Sequence, residues 1–220
     1  MPDPESTRPA PSPGAHRSPA EQPAADRAVV LVPIRSFRGA KSRLSPVLGD
    51  DEREQLSRWM AERVVSAAGA LRCRIVTDDP AVASWARGIG ADLAQPGVDG
   101  LDASVRLAVD EAARDGLDRV IVAHADLPAA DDLTIALGPG VAIVPDRRLD
   151  GSNVVGIPAG CGFEFAYGPG SFRRHCAEAG RLGLDLRIIH HDPLAWDVDE
   201  PGDLPSGWAT PSASSDRWGR

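Results

Sequence analysis

The sequence is poor in several features, and each shortage excludes a class of protein. Its three cysteines, Cys73, Cys161 and Cys176, are widely spaced and form no CxxC pair, so reduced thiols are expected rather than a disulfide framework or a metal motif. No apolar run approaches the ~18 residues that a membrane-spanning helix needs. The N-terminal residues also lack the apolar core of a secretory signal. We therefore expect a cytoplasmic protein that does not insert into membranes.

Positive charge is also scarce. The chain carries 32 acidic and 24 basic residues, a formal net charge of −8, and has no basic run. This balance argues against nucleic acids or anionic membranes as partners, because both are bound through clustered cations. The GxGxxG and Walker A patterns are absent, and no nucleophile is paired with a base and an acid at a recognisable spacing. A dinucleotide oxidoreductase, a P-loop kinase and a covalent hydrolase are all disfavoured.

Composition divides the chain into three segments. Residues 1–27 contain seven prolines and no apolar periodicity, which predicts a disordered N-terminal extension. Residues 205–220 resemble them and predict a flexible C-terminal tail, although Trp208 and Trp218 could dock locally. Residues 28–204 are left as one domain of ordinary size.

Within this domain, strand patterns alternate with helical patterns. We predict strands at 28–33, 73–77, 91–94, 119–124, 141–144, 153–157 and 184–190, and helices at 51–70, 80–88, 102–115, 129–137 and 171–181. This alternation indicates an α/β fold with three layers, in which helices cover both faces of a mostly parallel, Rossmann-like sheet with a late antiparallel element. Ligands of such folds bind beyond the carboxyl ends of the strands.

The loop after the first predicted strand is rich in cations. Residues 29–44 read VVLVPIRSFRGAKSRL, an apolar strand followed by Arg35, Lys41 and Arg43. Backbone N–H groups and cations in such a loop are typical of a polyphosphate site. The alternative is a solvated basic loop, since loops of this kind are common.

Two acids follow later apolar segments. Asp126 comes directly after the strand RVIVAH, and Asp199 lies in WDVDEPGDL, where alternation puts Asp197 and Asp199 on one face of an extended segment. Carboxylates at this edge suit Mg²⁺, which commonly takes one or two of them together with substrate phosphates. The alternative for each acid is the start of a turn before proline.

Glycine-flanked serines form a third group of candidates. Ser171 follows GPG at the start of a predicted helix, where it either caps the helix or offers its hydroxyl and N–H groups to a phosphate. Ser152 is open to the same two interpretations. His124 is expected to pack at a strand end and His175 on a helix face.

Five motifs in this order resemble one known family. VPIRSFRGAKSRLSPVL, HADLP, DGSN, YGPGSF and WDVDEPGDL are similar to the motifs of the phospholactate/phosphoenolpyruvate guanylyltransferases of coenzyme F-420 biosynthesis, over about residues 28–204. The resemblance implies a nucleotidyltransferase in which a phosphate oxygen of a small phospho-acid attacks the α-phosphorus of GTP and pyrophosphate leaves.

The resemblance also implies roles for individual residues. It makes Lys41 and Arg43 the catalytic residues that hold the triphosphate, and it adds Arg35 and Gly100 to the nucleotide site. It assigns Asp126 and Asp199 to Mg²⁺, and Ser152, Gly168 and Ser171 to the phospho-acid. Three positions depart from the family pattern, which usually has Lys, Asn and Thr where this chain has Arg35, Asp102 and Ser152.

Several alternatives stay open. The GC-rich composition favours phosphoenolpyruvate as the acceptor over 2-phospho-L-lactate, and 3-phosphoglycerate is a third candidate. A nucleotidyltransferase for sugar phosphates or molybdopterin would have a glycine-rich first loop, which is missing here. A non-catalytic nucleotide-binding regulatory module would not need two metal-binding acids. A downstream transferase of the same pathway is an expected partner.

Overall fold

The computed structural model describes residues 25–208. Most of the predicted N-terminal extension, residues 1–24, and of the predicted tail, residues 209–220 with Trp218, lies outside the described residues. Residues 25–27, which belong to the predicted extension, form a 3-10 turn, and Arg27 pairs with Asp118 at 2.8 Å. At the other end, the ring of Trp208 lies 5.7 Å from that of Trp59.

Seven strands and five α-helices alternate along the chain. The strands are β1 (Ala28–Pro33), β2 (Arg72–Val76), β3 (Asp92–Ala94), β4 (Arg119–Ala123), β5 (Val141–Pro145), β6 (Ser152–Pro158) and β7 (Leu186–Ile188). The helices are α1 (Asp50–Ala67), α2 (Pro80–Gly88), α3 (Leu101–Arg114), α4 (Ser171–Arg181) and α5 (Asp192–Ala195). Among the described residues, none of these helices is both long and apolar enough to cross a bilayer.

The strands form one sheet in the order β3-β2-β1-β4-β6-β5-β7. Strand β6 runs antiparallel to both of its neighbours, β4 and β5, and every other adjacent pair is parallel. The predicted mostly parallel sheet with a late antiparallel element is therefore confirmed.

Helices cover both faces of this sheet. Alternate residues of β1 face opposite ways, so Val30 and Val32 pack with residues of α1 and α2, whereas Val29 and Leu31 pack with residues of α3 and α4. The strand is buried on both sides, which explains its unbroken apolar sequence. The predicted three-layer architecture is confirmed.

The helix predicted at 129–137 is wrong. Only a 3-10 turn at Thr134–Ala136 forms there. The Asp132 carboxylate accepts hydrogen bonds from the Thr134 N–H (2.8 Å) and hydroxyl (2.6 Å), a local alternative to helical bonds. The turn packs so closely on β6 that a Cβ at Gly156 would lie 2.3 Å from the Ala136 carbonyl oxygen. Contact with the sheet thus overrides the helical pattern.

Candidate active site

The carboxyl edge of the sheet brings together three segments that are distant in sequence. The loop after β1 carries Lys41 and Arg43, Asp126 follows β4, and the segment after α5 carries Asp199. Because β1 and β4 are parallel neighbours, their loops leave the sheet side by side. The convergence that the strand order predicts is therefore present.

Lys41 lies between the two acids. Its Nζ is 2.5 Å from Asp126 Oδ2 and 3.0 Å from Asp199 Oδ1, and the Lys41 side chain is only 13% exposed. Arg43 is more peripheral, with NH1 3.8 Å from Asp199 Oδ2 and its side chain 72% exposed. We call Lys41, Arg43, Asp126 and Asp199 the charged side of the site.

A small apolar cluster holds the charged side together. Leu44, directly after the cationic loop, and Val198, directly before Asp199, are both fully buried in a cluster with Met60 of α1. The Val198 N–H also donates to the Asp126 carbonyl oxygen at 3.2 Å. The loop after β1 and the acidic segment are thus fixed against one scaffold, which keeps Lys41 within reach of both carboxylates.

The charges perturb one another. Burial alone would lower the pKa of Lys41, but the adjacent carboxylates of Asp126 and Asp199 outweigh it and hold that pKa above its usual value. Burial would likewise raise the pKa of Asp126, and the charge of Lys41 outweighs it, so that the acid stays ionised. Burial, followed by the charge of Asp126 and then that of Asp199, raises the pKa of Asp197, which places Asp197 beside the same cluster.

The two acids fit a divalent cation that shares its ligands with phosphates. Asp126 Oδ1 is buried and has no hydrogen-bond partner among the described residues, which leaves one carboxylate oxygen available for an incoming group. The Asp199 side chain is 40% exposed, and its Oδ1 and Oδ2 contact the cations Lys41 and Arg43. Within residues 25–208 no group of three His, Cys, Asp or Glu side chains could hold a metal by itself. Two carboxylates with phosphate oxygens are a common ligand set for Mg²⁺. The chemistry of Asp126 and Asp199 therefore fits this ion, and their assignment to it stays a prediction.

A pocket opens beside the charged side. It is lined by residues of the loop after β1, of α1, of the start of α3 and of the segment after β4, among them Arg35, Phe37, Lys41, Leu101, His124 and Asp126. Arg35 is exposed at this pocket, and Gly100, at φ 95°, precedes the first residue of α3. A positive φ favours glycine, which explains the residue type there. The structure thus brings Arg35 to the pocket that Lys41 lines, whereas Gly100 is the neighbour of a lining residue, Leu101.

The predicted phospho-acid residues lie in a different environment. Ser152 and Ser171 are only 1% and 2% exposed, and the Ser171 hydroxyl accepts the Ser152 N–H at 3.2 Å. His175 accepts the Ala166 N–H at Nε2 (3.0 Å), so its Nδ1 carries the proton and donates to the Ser152 hydroxyl (3.0 Å). We call Ser152, Ser171 and His175 the hydroxyl side. The hydroxyls of Ser152 and Ser171 form hydrogen bonds within the protein. The contact of these serines with a phospho-acid stays a prediction.

Arg174 orders the glycine loop before α4, a role that the sequence did not reveal. Its guanidinium donates to the carbonyl oxygens of residues 166–169, at distances from 2.7 to 3.3 Å. Asp102 adds a second tie, because its Oδ1 accepts the Tyr167 N–H at 2.9 Å. An asparagine Oδ1 could accept the same bond, so the departure from the family pattern at Asp102 preserves this contact.

One signal in the sequence pointed to Lys41 more strongly than its loop did. Lys41 is the only lysine in a chain whose other basic side chains, histidines aside, are all arginine. A compact ammonium is thus retained at the one position where it lies between two carboxylates, a geometry that suits a point charge better than a planar guanidinium.

Comparisons with known proteins identify the family of this chain. A family model described as "Guanylyl transferase CofC like" matches residues 28–206. A phosphoenolpyruvate guanylyltransferase of Sphaerobacter thermophilus is 40% identical over 87% of this chain and 98% of its own. A protein of the same name from Rubrobacter xylanophilus is 36% identical over 79% and 90%, respectively. A 2-phospho-L-lactate guanylyltransferase of Halorubrum lacusprofundi is 36% identical over 80% of this chain and 81% of its own.

Solved structures share the fold at low identity. A cytidylyltransferase of Leptospira borgpetersenii superposes with a TM-score of 0.53 and 12% identity, covering 81% of this chain and 83% of its own. A CMP:2-keto-3-deoxy-manno-octonic acid synthetase solved with CTP gives 0.53 and 14%, with coverage of 80% and 95%. The sheet and its helices therefore have the nucleotidyltransferase fold.

Proposed function

The chain belongs to the CofC-like guanylyl transferase family, and on that premise we propose that it transfers GMP from GTP to phosphoenolpyruvate and releases pyrophosphate. The product would be enolpyruvyl-diphospho-guanosine, an intermediate for coenzyme F-420 biosynthesis in the cytoplasm. The observation that carries the proposal is the position of Lys41, within 3.0 Å of both Asp126 and Asp199 at the carboxyl edge of the sheet.

The reaction needs positioning and charge neutralisation more than covalent chemistry. A phosphate oxygen of the acceptor forms a bond to the α-phosphorus of GTP. The bond from that phosphorus to the oxygen bridging the β-phosphate breaks, and pyrophosphate leaves with the electron pair. Lys41 and the exposed guanidinium of Arg43 offset the negative charge that accumulates on the leaving group. Arg35, at the adjacent pocket, and Gly100, next to the lining residue Leu101, would contact the nucleotide.

Asp126 and Asp199 would hold Mg²⁺. When bound, the cation neutralises phosphate oxygens and orients them. Lys41 contacts both carboxylates, so the ammonium and the metal would share the same two acids. Ser152, Gly168 and Ser171 would bind the phospho-acid, and Gly168 belongs to the loop that Arg174 orders.

A second acceptor is supported by a specific observation. The 36% identity to a 2-phospho-L-lactate guanylyltransferase extends over 80% of this chain. The two acceptors differ only around one carbon, so the same carboxylate and phosphate contacts would serve both. Phosphoenolpyruvate is preferred because the relative at 40% identity carries that name.

The test is pyrophosphate release by the purified protein with Mg²⁺ and GTP. Phosphoenolpyruvate, 2-phospho-L-lactate and 3-phosphoglycerate are supplied separately, and CTP replaces GTP in a parallel set. A second assay includes the downstream transferase that would consume the product. We expect release with GTP and phosphoenolpyruvate. Binding of GTP without release with any acceptor would support a regulatory module instead.

A further inference from the structure

Three buried polar atoms at the site have no partner. Among residues 25–208, the unpaired buried side-chain atoms include Asp126 Oδ1, His124 Nε2 and the Tyr167 hydroxyl. An unpaired buried donor or acceptor destabilises the folded protein, because its hydrogen bond to water is lost and not replaced. A protein can tolerate such an unpaired group at a binding site, because the ligand supplies the missing partner when it binds. Asp126 Oδ1 already fits the proposed metal, and the other two atoms belong to neighbouring rings whose centroids are 5.0 Å apart.

His124 and Tyr167 are placed rigidly. The His124 N–H donates to the Asn153 carbonyl oxygen at 2.9 Å, and the residue lines the same pocket as Lys41 and Asp126. The ring of Tyr167 lies 5.0 Å from that of His124 and stacks on Phe165 at 5.8 Å with an interplanar angle of 12°. The Tyr167 N–H is held by Asp102. The unpaired hydroxyl is thus carried on a ring with little freedom to turn away.

The two groups are suited to an anionic oxygen. Burial, and then the charge of Asp102, raises the pKa of Tyr167, so its hydroxyl stays protonated and can donate. His124 Nε2 donates in one of the two neutral tautomers of the imidazole. The cations Lys41 and Arg43 lie on the charged side. Phosphates, which carry more charge, fit the charged side, and a carboxylate with two acceptor oxygens fits the two neighbouring donors.

We propose that His124 and Tyr167 bind the carboxylate of the phospho-acid acceptor and so distinguish it from other phosphate monoesters. The inference rests on the proposed function and adds the residues that recognise the acid group. The position of Tyr167 supports it, because this residue directly precedes Gly168 in the loop that ends at Ser171. A site built to hydrogen-bond a substrate group discriminates strongly against an analogue that lacks the group.

Tyr167→Phe is the primary variant. Because the hydroxyl has no partner in the unliganded protein, its removal should leave the melting temperature unchanged or higher. The KM for phosphoenolpyruvate should rise roughly 10- to 100-fold, the effect of losing a hydrogen bond to a charged group, while the KM for GTP stays constant. A lower melting temperature with an unchanged KM would show a structural hydroxyl and overturn the proposal.

His124→Phe and His124→Gln test the second donor. The glutamine amide can place an N–H near the position of Nε2, and the phenyl ring cannot. We expect a raised KM for phosphoenolpyruvate in His124→Phe and partial rescue in His124→Gln. Equal effects of the two variants would overturn the role of His124 as a hydrogen-bond donor.

An acceptor without the acid group identifies which anionic oxygen is bound. Isopropenyl phosphate has a methyl group in place of the carboxylate. If His124 and Tyr167 bind the carboxylate, Tyr167→Phe should raise the KM for phosphoenolpyruvate. The KM for isopropenyl phosphate, which is already high, should stay unchanged. An equal loss with both acceptors would assign the pair to the phosphate, and a raised KM for GTP would assign it to the nucleotide. Either outcome overturns the proposal.

A binding measurement separates this inference from the proposed function. Tyr167 is the only tyrosine of the chain, so protein labelled with ¹³Cζ-tyrosine gives one tyrosine signal. Phosphoenolpyruvate should shift it and isopropenyl phosphate should not. Turnover by the wild type without such a shift refutes the inference alone. Failure of the wild type to release pyrophosphate with any acceptor refutes the proposed function, and an unshifted signal then refutes the inference as well.

Discussion

On the charged side of the site, Lys41, Asp126 and Asp199 contact one another through charges, and Asp126 keeps one carboxylate oxygen unpaired. On the hydroxyl side, the side chains of Ser152, Ser171 and His175 bond to one another and to backbone, and all three are almost fully buried. Both sides are polar and both border the same edge of the sheet. The two sides differ in their interactions. Residues of the charged side form ion pairs, and residues of the hydroxyl side form neutral hydrogen bonds.

This difference indicates how each side works. An ion pair at a partly open surface can exchange a partner for phosphate or metal, because the arriving ligand carries comparable charge. A buried network of neutral hydrogen bonds gains nothing from exchange and instead fixes the loop around it. We expect substitutions on the charged side to reduce turnover and those on the hydroxyl side to reduce stability.

Asp126→Asn should produce the largest effect. Removing the charge that contacts Lys41 and the proposed metal should lower kcat on the order of 10³-fold, the scale of losing a preorganised electrostatic group. Asp118→Asn is the matched control, because Asp118 precedes the same strand β4 at the opposite edge and pairs with Arg27. Equal activity of the two variants in steady-state assays would contradict the charged side as the reaction centre.

Lys41→Met should be the next largest. Loss of the ammonium leaves Asp126 and Asp199 facing each other without a neutralising charge and removes the contact with the leaving pyrophosphate, so kcat should fall about 10²-fold. Lys41→Arg should restore little, because a planar guanidinium does not fit between two carboxylates as a point charge does. Full activity of Lys41→Arg in the same assay would refute the geometric requirement.

His175 should make stability depend on pH. Burial, and then the charge of Arg174, lowers the pKa of His175 from an ordinary 6.5 to about 4. Between those values the unfolded chain binds a proton at this histidine and the folded chain does not. The contribution of the neutral His175 to the free energy of unfolding is therefore complete above pH 6.5. As the pH falls toward 4, roughly 3 kcal/mol of it is lost. Denaturant titrations should show a shallower decline over this range for His175→Gln, and parallel curves would contradict it.

Ser171→Ala should have the smallest effect. The Ser152 N–H would lose its acceptor, which should lower the free energy of unfolding by about 1 kcal/mol. If the hydroxyl also contacts the phospho-acid, the KM for phosphoenolpyruvate rises as well, and kinetics on the folded variant distinguish the two roles. An unchanged unfolding free energy would show that the hydrogen bond stabilises nothing.

The sheet and the charged side were predictable from sequence for the same reason. Apolar strands such as residues 28–33 have an unmistakable pattern, and the residue after a parallel strand lies at the ligand edge whatever the details of packing. The predicted positions of Asp126 and Lys41 at this edge depend only on that rule. The predicted helix at 129–137 failed because Asp132 bonds to Thr134 and the turn packs on Gly156 of β6.

The hydroxyl side was less accessible to prediction. Whether the Ser152 hydroxyl points outward or inward depends on the register of β6 against β4 and β5, which no local pattern encodes. The same holds for Arg174, whose partners are carbonyl groups of the preceding loop rather than side chains. The sequence located these residues near a glycine loop, and only the tertiary contacts reveal which atoms are already paired.

The most direct test of the account uses the single lysine. Protein labelled with ¹³Cε-lysine gives one lysine signal, from Lys41, and its titration reports the pKa of that ammonium. We predict a midpoint above the ordinary 10.5 in the unliganded protein, a lower midpoint in Asp126→Asn, and a shift of the signal when Mg²⁺ and GTP are added. A signal with the position and titration of a free lysine, unaffected by Asp126→Asn and by Mg²⁺ with GTP, would contradict the central claim that Lys41 joins the two acids at the nucleotide site.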